Sequence, residues 1–312
     1  MSAFVVVNPR SGNRRTQREW PAIERGLRSV WPQITVAHTS RQAEATSLVR
    51  DALREGFAEI VAIGGDGTIN EAMNGFFDDE GPIAPDAVFS FVTSGTGGDF
   101  RKTFGIAPGS AAAIARLKTA GVMPVDVGRV SCLTASGAPC VRHFINIASF
   151  GLSGAVVDSV NRARVAKLFG GQFAFVFHSA LDMLAYRDRA VRIRIDGQFD
   201  EVASISTVVI ANGQYFGGGM RVAPDARPDD GLFDIVIMGG STKRQALTDM
   251  KLIYTGEHLN LPNVRVLRGR SIIAAPVAES RGRSVLIEMD GENGGQLPAT
   301  FEILPNLLKM RC

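Results

Sequence analysis

Ile60-Val61-Ala62-Ile63-Gly64-Gly65-Asp66-Gly67-Thr68-Ile69-Asn70-Glu71 is the stretch on which the fold turns. A short apolar run with three β-branched residues reads as a buried strand. It stops at three glycines set around one aspartate, and a helical pattern begins near Thr68. Glycines let a backbone approach a ligand closely and leave N–H groups exposed, while the start of a helix favours an anion. The spacing matches neither a Walker loop nor the dinucleotide Gly-x-Gly-x-x-Gly pattern. Asp66 adds a constraint. A carboxylate among phosphate-binding amides is repulsive unless a cation or a donor network compensates it, so Mg²⁺ is implied nearby. The alternative is a plain glycine-rich turn capped by Asp66 or Thr68.

Outward from this segment, Phe4–Val7, Ile34–His38 and Val88–Val92 read as further strands, and Thr16–Val30, Gln42–Glu55 and Ser110–Thr119 carry apolar residues at helical spacing. Alternation of strand and helix up to about residue 125 predicts a parallel sheet covered on both faces. Sites in such sheets lie beyond the carboxyl ends of the strands. The rhythm then changes. Val125–Val130, Val141–Ala148, Val191–Ile195, Ser204–Ala211, Leu232–Met238, Asn263–Val266, Ser271–Ala274 and Val285–Met289 read as strands that mostly follow one another directly, which predicts antiparallel sheets. A helical insertion, about 154–186, interrupts them. The expected organisation is an α/β domain over residues 1–125 and a β-sandwich over 126–289. A last strand at Ala299–Leu304, within the segment 290–312, is compatible with a return to either domain.

Composition supports this division. With 312 residues, 45% of them hydrophobic and 21% charged, the chain can bury two cores and is not disordered. Three cysteines exclude a disulfide scaffold, and Cys132, Cys140 and Cys312 have no metal-type spacing, so a reducing, cytoplasmic setting is expected. No leader or membrane span is apparent, because the apolar run at the N-terminus ends at a turn and Leu168–Tyr186 is interrupted by Gln172, His178 and Asp182. The net charge of +3 lies in the second part, since residues 1–125 balance 13 basic against 13 acidic side chains. Arg265, Arg268, Arg270, Arg281 and Arg283 could meet lipid headgroups or simply be solvated. Charge gives no reason to expect a nucleic acid.

Two other strand ends match the first. Asn8-Pro9-Arg10-Ser11-Gly12-Asn13-Arg14-Arg15 follows the first strand, and Thr93-Ser94-Gly95-Thr96-Gly97-Gly98-Asp99-Phe100 follows the fourth. Each alone is an ordinary loop; three glycine-bearing loops at one sheet edge describe a nucleotide cleft. Asn8-Pro-x-Ser-Gly12, Gly64-Gly-Asp-Gly-Thr-Ile-Asn-Glu71 with Asn74-Gly75, and Gly95-Thr-Gly-x-Asp-Phe100 resemble the soluble lipid kinases of the diacylglycerol kinase and sphingosine kinase superfamily, closest to its stand-alone bacterial branch. Val125-Asp-Val-Gly128, Asp229-Asp-Gly-Leu-Phe-Asp234 and Asp290-Gly-Glu292 extend the resemblance over nearly the whole chain. One departure is Gly98, where the family often has asparagine.

The resemblance implies ATP in a cleft between a Rossmann-like α/β domain and an antiparallel β-sandwich domain. Gly64, Gly65, Asp66, Gly67, Thr68, Ile69 and Asn70 would contact the phosphates, with Asn8, Ser11, Gly12, Thr39 and Thr96 lining the pocket. Asp66, Asp290 and Glu292 would be catalytic, Glu292 being the preferred proton acceptor. Arg227 and Leu232 through carbonyls, and Asp230 through its side chain, match a structural Mg²⁺ site. Independently of the family, phosphoryl transfer needs Mg²⁺ and a base for the acceptor hydroxyl. Asp-Gly between strands is equally a hairpin signal, and Asp196-Gly197 is read that way. Asp230-Gly231 and Asp290-Gly291 stay open between hairpin and site. Phe169, Phe173, Phe175, Phe177, Leu181, Leu184 and Tyr186 could line an acyl groove or form a core helix. The four histidines form no ligand pattern.

The expected activity is that of an ATP- and Mg²⁺-dependent lipid kinase, with diacylglycerol as default acceptor and transient association with the membrane surface. An NAD-kinase-like enzyme with a soluble acceptor and a catalytically silent nucleotide-binding regulator are the alternatives. Oligomeric state cannot be read from the sequence.

Overall fold

Ile60, Val61, Ala62 and Ile63 are fully buried at the centre of a parallel sheet. The computed structural model describes residues 2–94, 98–162, 185–277 and 284–312. In chain order the first elements are β1 (Ser2–Val7), α1 (Ser11–Arg28), β2 (Gln33–His38), α2 (Glu44–Arg54), β3 (Glu59–Gly64), α3 (Asp66–Asn74), the short pair β4 (Phe77–Asp78) and β5 (Gly81–Pro82), β6 (Val88–Thr93), α4 (Asp99–Thr103) and α5 (Ser110–Leu117). Strand order is β2-β1-β3-β6, all parallel. Alternate side chains explain both covered faces. Val5, Val7, Val61 and Ile63 pack with Ile23 and Leu27 of α1 and Ile114 and Leu117 of α5. The helices α2 and α3 pack on each other and against β1 and β3. Each fully buried Val or Ile contributes about 1.5–3 kcal/mol, which is why this sheet reads so clearly in sequence.

Two compact units divide the chain, one made of Met1–Val127 with Leu304–Cys312, the other of Gly128–Ile303. In the first unit Lys309 and Met310 add a parallel strand segment beside Val88 and Phe89 of β6. It is held by Lys309–Asp86 at 2.6 Å, by a contact between Arg311 and the buried Glu59, and by the Asn306 amide on Asp126 at 2.7 Å.

The remaining elements are β7 (Val122–Leu133), β8 (Pro139–Phe144), β9 (Ile147–Gly151), α6 (Leu152–Arg162), β10 (Arg189–Ile195), β11 (Phe199–Ile205), β12 (Thr207–Ala211), β13 (Phe233–Met238), α7 (Lys243–Asp249), β14 (Val264–Gly269), β15 (Ser271–Pro276), β16 (Leu286–Met289) and β17 (Glu292–Arg311). Within the second unit one antiparallel run is β14-β13-β12-β9-β16-β17; β17 also pairs with β15, which leads on to β10 and β11. Ile193, Ile195 and Ile272 from one side meet Val208, Ile210, Phe233 and Ile235 from the other in a single core, with Phe144 stacked on Phe233 at 5.5 Å. This is a β-sandwich-like unit, mostly sheet among its described residues.

Two expectations need correction. Val141–Ala148 is not one strand: it breaks at Ile145-Asn146 into β8 and β9, because the amides of Ile145, Asn146 and Ile147 turn to the carboxylate of Asp290. Ser204–Ala211 likewise divides, at Ser206, into the end of β11 and β12. Among the described residues no helix is long and apolar enough to cross a membrane.

Candidate functional site

Parallel pairing puts the carboxyl ends of β2, β1, β3 and β6 on one edge, where the chain continues at Thr39, Asn8, Gly65 and Ser94. Backbone bonds carry the pairing into these loops. Thr39 donates to Val7 O at 2.8 Å, Asn8 to Ile63 O at 2.9 Å and Ser94 to Gly64 O at 3.0 Å. Side chains then lock the loops together. Asn8 Nδ2 donates to Thr68 Oγ1 at 3.0 Å, while its Oδ1 accepts from the Arg10 amide at 3.0 Å. Ser11 Oγ donates to Asn8 O at 3.0 Å and lies 3.2 Å from Ser94 Oγ; the buried Thr16 hydroxyl bonds both serines. Gly12 has φ +58°, and a Cβ there would stand 2.5 Å from Ser94 O. Only glycine lets the first loop lie this close to the fourth. Asn13 and Arg14 share the left-handed conformation, so the regular helix of α1 begins after them.

The loop after β3 ends in the N-terminus of α3, whose N-cap, Gly65, is extended at φ −91° and ψ −178°. The first amides of a helix have no partner within it, and the partial positive charge there favours an anion. Asp66 opens this helix half-buried, and its Oδ2 accepts the Asp99 amide at 3.2 Å. Asp99, itself buried, is paired with Lys102 at 2.7 Å. Farther along α3, Glu71 holds α2 in place through the Ala43 amide at 2.9 Å and the Thr46 hydroxyl at 2.8 Å. Asn74 Nδ2 bonds Asn70 O and Oδ1. The Asn70-Glu71 and Asn74-Gly75 part of the motif thus includes residues that fasten the helix to its neighbours.

In the second unit, Met289 pairs directly with Glu292, so Asp290-Gly291 is a two-residue hairpin loop. Both residues have positive φ, +48° and +87°, as a type I′ turn demands. The polar stretch Glu292–Gln296 belongs to the returning strand. Asp290 is 7% exposed, and its carboxylate accepts three backbone N–H groups, from Ile145 at 3.0 Å, Asn146 at 3.0 Å and Ile147 at 2.9 Å. Glu292, two residues on, is half-buried.

Sequence reasoning passed over Glu288. It is 3% exposed, accepts from Ser149 Oγ at 2.5 Å and from the Gly291 amide at 2.6 Å, and so braces the hairpin from within. Burial pushes its carboxyl up to about 7, against the pull of those two donors and with help from the charges of Asp290 and Glu292. The available signal was an acid between Ile287 and Met289, in a strand whose other residues are all apolar.

Asp230 and Leu232 meet in the turn before β13, whereas the Arg227 guanidinium pairs with Asp229 at 3.3 Å. Asp230 Oδ1 accepts the Leu232 amide at 3.1 Å, and its other oxygen is in contact with Arg268 of β14. Arg268 also faces Asp234, its direct cross-strand partner, at 3.5 Å. Burial raises the Asp234 carboxyl, and Arg268 opposes that rise. As arranged, this turn satisfies its carboxylate with a guanidinium, which makes it a poor fit to Mg²⁺. Asp66 is different. It is a hard oxygen donor beside a phosphate-type cradle, and Mg²⁺ is usually held by one or two carboxylates plus substrate phosphates. No cluster of three or more His, Cys, Asp or Glu able to hold a metal occurs among the described residues.

Thr96 and the aromatic run Phe169, Phe173, Phe175, Phe177, Leu181 and Leu184 lie outside the described residues, as do Arg281 and Arg283. His258 is buried with Nε2 on Val222 O at 3.1 Å, and His143 is pushed down to about 4 by burial and by Arg129.

Two family descriptions match the chain. One, the diacylglycerol kinase catalytic domain, covers residues 2–130; the other, the YegS C-terminal NAD kinase beta sandwich-like domain, covers residues 146–312. The diacylglycerol kinase of Staphylococcus carnosus is 28% identical over 300 residues, spanning 96% of this chain and 91% of that protein. That of Bacillus subtilis is 26% identical over 302 residues, with 96% and 92% covered. A crystal structure of a diacylglycerol kinase from Bacillus anthracis superposes with a TM-score of 0.70 at 20% identity, covering 99% of this chain and 96% of the other. Yeast NADH kinase shares the fold more distantly, with a TM-score of 0.52 at 11% identity over 100% of this chain and 82% of the other.

Proposed function

Because the chain belongs to the diacylglycerol kinase and YegS-like lipid kinase superfamily, we propose that it is an ATP- and Mg²⁺-dependent kinase that phosphorylates a hydroxyl of a membrane-derived lipid, with diacylglycerol the default acceptor. The observation that carries this reading is the loop cluster of Asn8, Ser11, Thr16, Thr68 and Ser94 beside the N-terminus of α3. Fixed amides and hydroxyls at the carboxyl edge of a parallel sheet suit a nucleotide triphosphate. The amides of Gly65, Asp66 and Gly67 would bind phosphate oxygens. Asn8 would keep Thr68, and with it the first turn of α3, in register. Mg²⁺ bound with the nucleotide at Asp66 would neutralise phosphate charge.

Glu292 is the proposed proton acceptor for the lipid hydroxyl. It is half-buried at the start of the strand that leaves the Asp290-Gly291 turn, whereas three amides hold the Asp290 carboxylate as a positioning group. The β-rich unit is the proposed lipid-binding part, with transient association at the membrane surface of a cytoplasmic protein.

The test is transfer of labelled phosphate from ATP, with Mg²⁺, in mixed detergent micelles offered diacylglycerol, monoacylglycerol, sphingosine, ceramide and NAD. Label in a lipid supports the reading and names the head group. Label in NAD alone overturns it, and ATP binding without transfer to any acceptor points to a regulator. Asp66→Ala and Glu292→Ala are each expected to abolish transfer while the chain stays folded; a near-wild-type rate removes that residue from the mechanism.

A further inference from the structure

The β7–β8 ladder places Cys132 directly opposite Cys140, with the two sulfurs 3.2 Å apart. Directly opposed residues of an antiparallel pair have Cα atoms about 4.5–5.5 Å apart, inside the 4.4–6.8 Å span of disulfides. Both cysteines are free thiols here. Cys132 is buried and its thiol donates to Gly294 O at 3.2 Å, while Cys140 is partly exposed. Desolvation pushes the Cys132 thiol up to about 12, so Cys140 is the one that meets an oxidant first.

From this geometry we propose that Cys132 and Cys140 form a reversible oxidation site that closes to a cross-strand disulfide when a low-molecular-weight disulfide reaches the protein. The thiolate of Cys140 attacks one sulfur of that disulfide, R–S–S–R. A Cys140–S–S–R bond forms, and one RS⁻ leaves and is protonated. Cys132 then attacks the Cys140 sulfur, expelling the second RS⁻, which takes the Cys132 proton. Two protein thiols are oxidised, and one external disulfide is reduced to two thiols. The closed loop is short, so the bond adds less stability by chain entropy than one closing a long loop would. It also withdraws the Cys132 S–H from Gly294 O, in the strand that carries Glu292. The inference is independent of the phosphoryl-transfer reading.

Trypsin makes the site easy to read, since cleavage after Arg129 and Arg142 releases Val130–Arg142 with both cysteines and no other basic residue. The folded full-length chain is treated with oxidised glutathione, alkylated, digested and weighed. The expected result is this peptide lighter by two hydrogens, resistant to alkylation, and restored by a reductant. Cys140→Ser should leave Cys132 fully alkylated under the same treatment. A glutathione adduct that persists on Cys140 with Cys132 still alkylated overturns the proposal. So does a disulfide joining either cysteine to Cys312 or to a second chain, or both cysteines remaining alkylatable.

Discussion

Replacing Glu288 by glutamine tests the electrostatics of the hairpin most directly. In water a glutamate titrates near 4.5, and in the folded chain Glu288 titrates near 7. Between those two values the folded state holds a proton that the unfolded state has released. Stability contributed by this group is therefore complete below the unfolded value and is lost as pH rises through the folded one. A shift of this size corresponds to about 3 kcal/mol of stability, lost at about 1.4 kcal/mol per pH unit within the window. Glutamine has the same shape and can still accept from the Gly291 amide, but it does not ionise. The difference in unfolding free energy between Glu288→Gln and wild type, from urea titrations at closely spaced pH values, should grow by about 3 kcal/mol in favour of the variant from pH 4.5 to 8. Parallel pH curves for the two proteins would refute the reasoning, because they would mean that Glu288 is not held neutral by its surroundings.

Asp290→Ala strands the amides of Ile145, Asn146 and Ile147 and should cost about 3 kcal/mol or more in urea denaturation, whereas Glu292→Ala should stay within about 0.5 kcal/mol of wild type. Equal losses would contradict the division between positioning and reacting carboxylates. Gly12→Ala forces a Cβ to within 2.5 Å of Ser94 O at a positive φ. It should destabilise by about 1–3 kcal/mol and weaken ATP binding measured by calorimetry, with unchanged affinity refuting the close-approach argument. Arg268→Met leaves the 4%-exposed Asp234 without its cation and should lower stability by about 1–3 kcal/mol at pH 7, with a smaller loss under acid conditions that protonate the aspartate. A loss independent of pH would mean that packing, and not charge, is what Arg268 supplies.

The parallel sheet and its loop edge were legible in the sequence because each signal there is local. Ile60–Ile63 is continuously apolar since both faces of β3 are covered, and Gly64-Gly65-Asp66-Gly67 marks the strand-to-helix turn by residue type alone. Parallel pairing then brings Asn8, Gly65 and Ser94 to one edge without further information, so that part of the candidate site followed from order and spacing. The second unit was less legible. In an antiparallel run the partner of a strand is set by contacts far apart in the chain, and nothing near Asp290 announces that its oxygens will be claimed by amides at 145–147 and split the strand expected there. The same holds for Lys309 and Met310 beside β6, for the buried Glu288 and for the apposed Cys132 and Cys140. Local propensity and period determined which segments are strands and helices and where the glycine loops fall. Tertiary structure alone decided which carboxylate is clamped, which is left half-exposed and which has its titration pushed upward, because burial and hydrogen-bond partners are properties of the packed chain and not of a residue's neighbours in sequence.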